Sequence, residues 1–202
     1  MGQLYDAITP RLRAFIEAMP VFFVATAPLS PDGHVDVSPK GIGGTFAVVD
    51  ERTVAYLDIT ASGAETIAHL RENGRITVMF CSFSMFCSFS RQPKILRLHG
   101  RGRVVGVDDH EFATWRPRFP ETIAARAVVV VDVERVSDSC GYGLPLMDEP
   151  RERDMLIPTM ERRGPDGVRA YRAERNAVSI DGLPAFEERE TTQGGDAAAP
   201  RA

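Results

Sequence analysis

The chain has 202 residues and a mass of 22.2 kDa, which suits one soluble domain with at most a small appendage. Hydrophobic residues make up 44% and charged residues 26%, which excludes a disordered chain of low hydrophobicity. The formal net charge of −4 argues against a protein built mainly to neutralise nucleic-acid phosphate. The three cysteines have no CxxC spacing, so they indicate neither a disulfide scaffold nor a zinc site.

The longest apolar runs are far shorter than the ~18 residues that a membrane helix needs. The first residues lack the basic start and the apolar stretch of a signal peptide. We therefore expect no membrane contact, no nucleic-acid partner and a cytoplasmic location.

The first third of the chain predicts a helix followed by an antiparallel meander. Thr9 as N-cap and Pro10 at the first helical position begin the helix, and Pro20 ends it. Its apolar face is formed by residues three and four positions apart, namely Leu12, Phe15, Ile16 and Met19. Strands are then predicted over residues 21–27, 34–38, 45–49 and 53–59.

The middle of the chain predicts a second helix and three further strands. Ser62 and Glu65 have the spacing of a capping box, and Gly74 follows the last helical residue. Strands are predicted over 75–81, 94–105 and 127–136, the last so rich in valine that a buried central position is expected. A short helix is expected from Asp108 to Trp115. This pattern predicts a mainly β fold, a small antiparallel barrel with peripheral helices.

The C-terminal part has a different composition and divides the chain into three segments. We expect a barrel domain over 1–146 and a helical extension over 147–186 that packs on the barrel or on a dimer. Residues 187–202 are polar and small, which indicates a disordered tail.

A perfect tandem repeat occupies residues 79–90, where Met-Phe-Cys-Ser-Phe-Ser occurs twice. An insertion of six residues preserves the alternation of side chains along a strand, so the core-facing side is not inverted. We predict a lengthened hairpin or an extruded loop there, with the barrel intact.

Three segments are candidate sites for an anion or a cofactor: 38–41, 60–66 and 139–145. Lys40, fixed by the preceding proline, is either a contact to a phosphate or polar ring edge or an exposed turn lysine. The helix start near Ser62 is either a phosphate seat or a simple capped end. Cys140 has no evident activating partner, and the four histidines lack the spacing of metal ligands. No metal site is predicted, and the sequence leaves the catalytic residues unknown.

Together, several segments resemble the pyridoxamine 5′-phosphate oxidase-related flavoproteins, the FMN-binding split-barrel family. The matching segments are 23–27, 37–41, 53–58, 63–70, 73–76 and 95–100, with the loop 139–145 and the stretch 179–184 typical of an uncharacterised branch. The resemblance implies a six-stranded antiparallel split barrel that forms a homodimer, with FMN in clefts between the subunits.

The same resemblance implies a set of cofactor-binding residues. Those expected to line the flavin, approach its phosphate or supply positive charge are Ser38, Lys40, Gly41, Tyr56, Asp58, Ser62, Thr66, Arg75 and Arg97. True pyridoxamine phosphate oxidases have an Arg-Lys pair at the helix start, where this chain has Glu65 and Thr66. Positive charge for the phosphate is therefore expected from Lys40, from Arg75 or from the other subunit.

The resemblance implies an FMN-dependent oxidoreductase that acts on a small molecule. Two alternatives stay open: a flavin-binding redox sensor or carrier without turnover, and a split barrel that holds a deazaflavin or a haem. The absorption spectrum of the purified protein distinguishes these cofactors. The sequence does not identify the substrate, because function depends on the site and not on the fold.

Overall fold

The computed structural model describes residues 2–83, 93–147 and 151–186. Within these residues one antiparallel sheet is surrounded by helices. The strands are β1 Leu4–Tyr5, β2 Phe22–Thr26, β3 Asp36–Lys40, β4 Phe46–Val48, β5 Thr53–Ile59, β6 Arg75–Cys81, β7 Lys94–Gly106 and β8 Ala125–Cys140. The helices are α1 Pro10–Glu17, α2 Glu65–Asn73, α3 Phe112–Trp115 and α4 Leu156–Arg175, with a 3-10 turn at Arg116–Arg118.

The described sheet has the strand order β3-β2-β6-β7-β8-β5-β4, and β1 pairs with β8. The sheet curls until its two ends share one core. The rings of Phe22 on β2 and Phe46 on β4 lie 4.8 Å apart between centres, and Phe46 lies 5.1 Å from Phe80 on β6. The edge strands β3 and β4 are not paired with each other in this sheet, so the barrel is split, as predicted.

The valine-rich strand β8 is central, as its composition predicts. It pairs with β7 on one side and β5 on the other. Val129 and Val131 face the barrel core, whereas Val128 and Val130 pack in a second cluster with Phe119. Burial on both faces explains why the run does not alternate with polar residues.

The first helix forms as predicted. The Thr9 side chain accepts a hydrogen bond from the amide of Leu12, and Pro10 is the first helical residue. Leu12, Phe15 and Ile16 are buried against the barrel.

The predicted capping box at the start of α2 is wrong. The N-cap residue is Ala64, and no side chain caps the helix. Gly63 adopts a positive φ of +79° in the turn before the helix, and the helix begins two residues later than the sequence pattern predicts. The Glu65 carboxylate accepts a hydrogen bond from the amide of Ile180 rather than from the amide of Ser62.

Other expectations differ in detail. The sheet of the described residues has eight strands, whereas the resemblance implies six and the sequence pattern predicts seven. The strand that the pattern missed is β1, which is only two residues long. The short helix after Asp108 starts only at Phe112, because Asp109 accepts a hydrogen bond from the Gly106 amide in the preceding turn. Most of the tandem repeat and the tail from residue 187 lie outside the described residues. The division of the chain after residue 146 stays a prediction.

Helix α4 packs on the barrel through Met160 and Val168, which contact Ala124 just before β8. It is kinked at Gly164, where φ is +68° and Pro165 follows. After α4 the chain returns across the start of α2, with a single bridge between Val178 and Pro184.

Candidate functional site

A buried carboxylate joins two cations at one end of the barrel. Asp58, on β5, is 1% exposed and accepts hydrogen bonds from Arg126 Nε at 2.5 Å and from Lys40 Nζ at 3.4 Å. Burial alone acts to raise the pKa of Asp58, but the charges of Arg126 and Lys40 outweigh it and hold the pKa below its ordinary value. Asp58 is therefore ionised, and it fixes the positions of both cations.

A register shift brings Arg126 to this carboxylate. On β8, Ala127 pairs with Asp58 and Ala125 pairs with Ile59, which leaves Arg126 as an extra residue. Such a bulge redirects a side chain. Strict alternation would have placed Arg126 on the side of Val128, away from the barrel core.

A second carboxylate lies where β3 meets the start of α2. Asp36 accepts hydrogen bonds from Ser38 Oγ at 3.0 Å and from Thr66 Oγ1 at 2.8 Å. Both hydroxyls were predicted to approach the cofactor. In the structure both hydroxyls donate to Asp36, which was not among the predicted site residues.

The helical extension closes the same end of the barrel. Arg172 donates to Thr60 Oγ1 at 2.8 Å and to the Ala125 carbonyl at 2.7 Å. Asn176 donates to the carbonyls of Ala61 and Gly63 at 2.9 and 3.1 Å. Arg172 in α4 and Asn176 just after it therefore hold the loop that precedes α2.

Two buried polar atoms near this cluster have no hydrogen-bond partner among the described residues. They are the hydroxyl of Tyr56 and Oδ1 of Asn176, and both residues are 0% exposed. Burial, with a smaller contribution from Asp58, raises the pKa of Tyr56 well above its ordinary value. A buried polar atom without a partner is uncommon in folded proteins and calls for an explanation.

The structure brings some of the predicted cofactor residues together. Ser38 and Thr66 donate to Asp36 in one hydrogen-bonded cluster, and Lys40 donates to Asp58 in another. Tyr56 lies next to the Asp58 cluster but inside the barrel, where its ring contacts Phe22.

The remaining predicted residues lie at the surface or on the outer face. Gly41 follows β3, and Ser62 is exposed beside the α2 start. Arg97 donates to Ser139 Oγ at 3.0 Å, and Arg75 donates to the Pro28 carbonyl at 3.2 Å. Neither arginine joins the Asp58 cluster.

Arg75 borders an outer cleft of about 390 Å³ between β2, β6 and β7. His99 and Arg101 also line it, and Arg101 is paired with Glu134 at 3.5 Å. His99 Nδ1 is buried without a partner in the described chain. Burial, together with the nearby Arg135, lowers the pKa of His99.

Sequence reasoning missed Asp36, Arg126 and Asn176. The alternation of β3 places Asp36 on the same side as Ser38 and Lys40, and this signal was available. Arg126 interrupts an otherwise apolar run, which was a second signal, but its direction depends on the bulge. Nothing local to Asn176 indicates a contact 113 residues away.

Among the described residues, no cluster of histidine, cysteine or acidic side chains is arranged to hold a metal ion. No described helix is both long and apolar enough to span a membrane.

Comparison with known proteins identifies the family to which this chain is similar. Residues 8–140 match the pyridoxamine 5′-phosphate oxidase family. The chain is 38% identical over 200 residues to the pyridoxamine 5′-phosphate oxidase family protein ustO of Aspergillus flavus, covering 91% of this chain and 78% of that protein.

The solved structures found by comparison are more distant. HupZ of Group A Streptococcus is 22% identical, with a TM-score of 0.46 over 64% of this chain and 91% of HupZ. An FAD-binding protein of Mesorhizobium loti is 17% identical, with a TM-score of 0.46 over 68% and 96% of the two chains. On the sequence match over residues 8–140 and the identity to the fungal protein, this chain belongs to the pyridoxamine 5′-phosphate oxidase family.

Proposed function

We propose that the protein binds a flavin where β3, β5 and α2 meet, and that it is an oxidoreductase acting on a small molecule. The observation that carries the proposal is the fixed cation Lys40. Its side chain is 24% exposed, and the fully buried Asp58 holds it in place. A preorganised cation at a site edge stabilises negative charge that develops on a ligand. Family membership supports FMN as the flavin to test first.

The described residues suit the ring and hydroxyl-bearing parts of a flavin. Lys40 offers a positive charge, and Asn176 Oδ1 is an acceptor that has no partner among the described residues. A bound flavin supplies redox chemistry, and the chain supplies orientation and charge. We further propose a homodimer with the flavin in clefts between subunits, in which Arg97 on the outer face approaches the cofactor or the partner.

The first experiment is the absorption spectrum of the purified protein, together with its mass in solution by light scattering. We expect the bands of an oxidised flavin after reconstitution with FMN and the mass of a dimer. A Soret band or a deazaflavin spectrum would replace FMN with another cofactor. A colourless protein that does not bind added FMN contradicts the proposal.

The second experiment replaces Lys40 with methionine. Arg126 still pairs with Asp58 in Lys40→Met, so we expect the fold to persist. Flavin affinity should fall by about tenfold, or the reduction potential should shift downward, because a cation favours the reduced anionic form. Arg11→Met, which removes an exposed cation on α1, is the matched control. Unchanged affinity and potential in Lys40→Met would argue against a role for Lys40.

One observation favours a flavin-binding sensor or carrier as the second candidate. The charged side chains of the described cluster are engaged with one another, so none stands free as a general acid or base. Turnover with NADH or NADPH and a range of electron acceptors separates the two candidates. Oxidation of NAD(P)H by the flavin-loaded protein supports the enzyme, and its absence supports the carrier.

A further inference from the structure

The α2 start, which in principle favours an anion, already has two carboxylates beside it. Asp36 accepts hydrogen bonds from Ser38 and Thr66. Glu65 folds back over the turn, so that its Oε2 lies 2.4 Å from the position of a Cβ on Gly63. Negative charge is stabilised at a helix N-terminus by the backbone amides and the helix dipole. Here the chain's own side chains provide that charge.

Three described cations near this loop already have protein partners. Lys40 and Arg126 bind Asp58, and Arg172 binds Thr60 Oγ1 and the Ala125 carbonyl. With Asp36, Asp58 and Glu65, these groups give three positive and three negative charges. A phosphate dianion placed at the α2 start would therefore meet two carboxylates, while the described cations near it are already bonded to protein acceptors.

The unpaired buried atom at the loop has the wrong chemistry for phosphate. Oδ1 of Asn176 is a hydrogen-bond acceptor, and the amide nitrogen of the same side chain is held by the carbonyls of Ala61 and Gly63. An acceptor needs a donor, such as a ligand hydroxyl or ring N–H. An ionised phosphate oxygen offers none.

We propose that Asp36 determines specificity by taking the place of a cofactor phosphate at the start of α2. The site then selects the flavin ring and its side-chain hydroxyls, and a terminal phosphate adds little affinity. This inference rests on the proposed flavin binding and deepens it by naming the part of the flavin that the chain recognises.

The test compares riboflavin and FMN, measured by quenching of flavin fluorescence at fixed ionic strength. For the unaltered protein we expect dissociation constants within about threefold of each other, because the phosphate gains no net attraction. For Asp36→Asn we expect FMN to bind at least about tenfold more tightly, with riboflavin changed less than about threefold.

Two further variants control for other causes. Glu65→Gln removes the second carboxylate, and we expect it to shift the ratio of the riboflavin and FMN dissociation constants in the same direction as Asp36→Asn. This variant keeps the test available if Asp36→Asn does not fold. Glu51→Gln makes the same change of net charge at an exposed residue on the β4–β5 turn. Its ratio of riboflavin to FMN dissociation constants should stay within about twofold of the ratio for the unaltered protein.

The possible results distinguish failure of this inference from failure of the proposed function. An unaltered protein that prefers FMN about tenfold over riboflavin overturns the role of Asp36 and leaves flavin binding intact. An FMN preference that stays the same in both Asp36→Asn and Glu65→Gln also overturns it. A protein that binds neither flavin overturns the proposed function and this inference together.

Discussion

Asp58 is the residue on which the polar end of the barrel depends. Its carboxylate is fully buried and bonded to Arg126 and Lys40, so its removal leaves two cations without their common partner. Breaking a buried ion pair from one side typically costs about 3–5 kcal/mol. We expect Asp58→Asn to lower the free energy of unfolding by about this amount in urea denaturation.

The matched control is Glu134→Gln, which removes the same charge from an exposed pair with Arg101. Both side chains of that pair are more than half exposed, so its loss should cost less than about 1 kcal/mol. An equal decrease in the free energy of unfolding of the two variants would show that the Asp58 carboxylate is not important for stability.

Tyr56 presents the opposite case, a buried hydroxyl whose hydrogen bond is missing. Desolvation of an unpaired polar group costs about 1–3 kcal/mol, and its removal releases that cost. We therefore expect Tyr56→Phe to keep or increase the free energy of unfolding of the flavin-free protein. Tyr5→Phe, which loses a hydrogen bond of 2.6 Å to Asp138, should lower it. A Tyr56→Phe variant less stable than Tyr5→Phe would contradict the assignment of the Tyr56 hydroxyl as unpaired.

At the scale of elements, the pairing of β7 with β8 depends on one glycine. The register shifts between His99 and Gly100, which leaves Glu134 as an extra residue on β8. A Cβ on Gly100 would lie 2.0 Å from the carbonyl oxygen of Asp132 and 3.1 Å from the Cα of Val133, so backbone would have to move. We expect Gly100→Ala to lower the free energy of unfolding by about 1–3 kcal/mol.

Gly143→Ala is the control for this prediction, because nothing lies within 4 Å of a Cβ there. It should change the midpoint of thermal unfolding little. If Gly100→Ala and Gly143→Ala unfold at the same temperature, the bulge accepts a side chain at residue 100 and the prediction is wrong.

At the scale of the whole molecule, the sequence predicts the barrel well but the polar clusters only in part. Valine-rich strands, turn residues and the Thr9–Pro10 helix start are local signals, and each gave the correct element. The contacts of Asn176 and the direction of Arg126 depend on how the sheet curls and where its register shifts. Those properties arise from tertiary packing, so periodicity along the chain does not contain them.

The response of the whole molecule to acid follows from carboxylates with lowered pKa values. Besides Asp58, Asp138 fastens β1 to the barrel by accepting hydrogen bonds from Lys94, Tyr5 and the Gln3 amide. Burial acts to raise the pKa of Asp138, but these hydrogen bonds and the Lys94 charge hold it below its ordinary value. Stability from such a group is present above its unfolded pKa of about 3.9 and is lost as pH falls through the lower folded value.

Asp138→Asn tests this dependence. We expect the variant to be less stable than the unaltered protein at pH 7, and the difference to shrink as the pH falls below about 4. Urea denaturation at several pH values measures it, and Asp32→Asn, an exposed carboxylate in the β2–β3 turn, is the control. Protonation of Asp138 removes the same charge that the substitution removes, so the two proteins converge in acid. A difference that stays constant from pH 7 to about pH 3 would mean that hydrogen-bond geometry, and not the carboxylate charge, holds β1 in place.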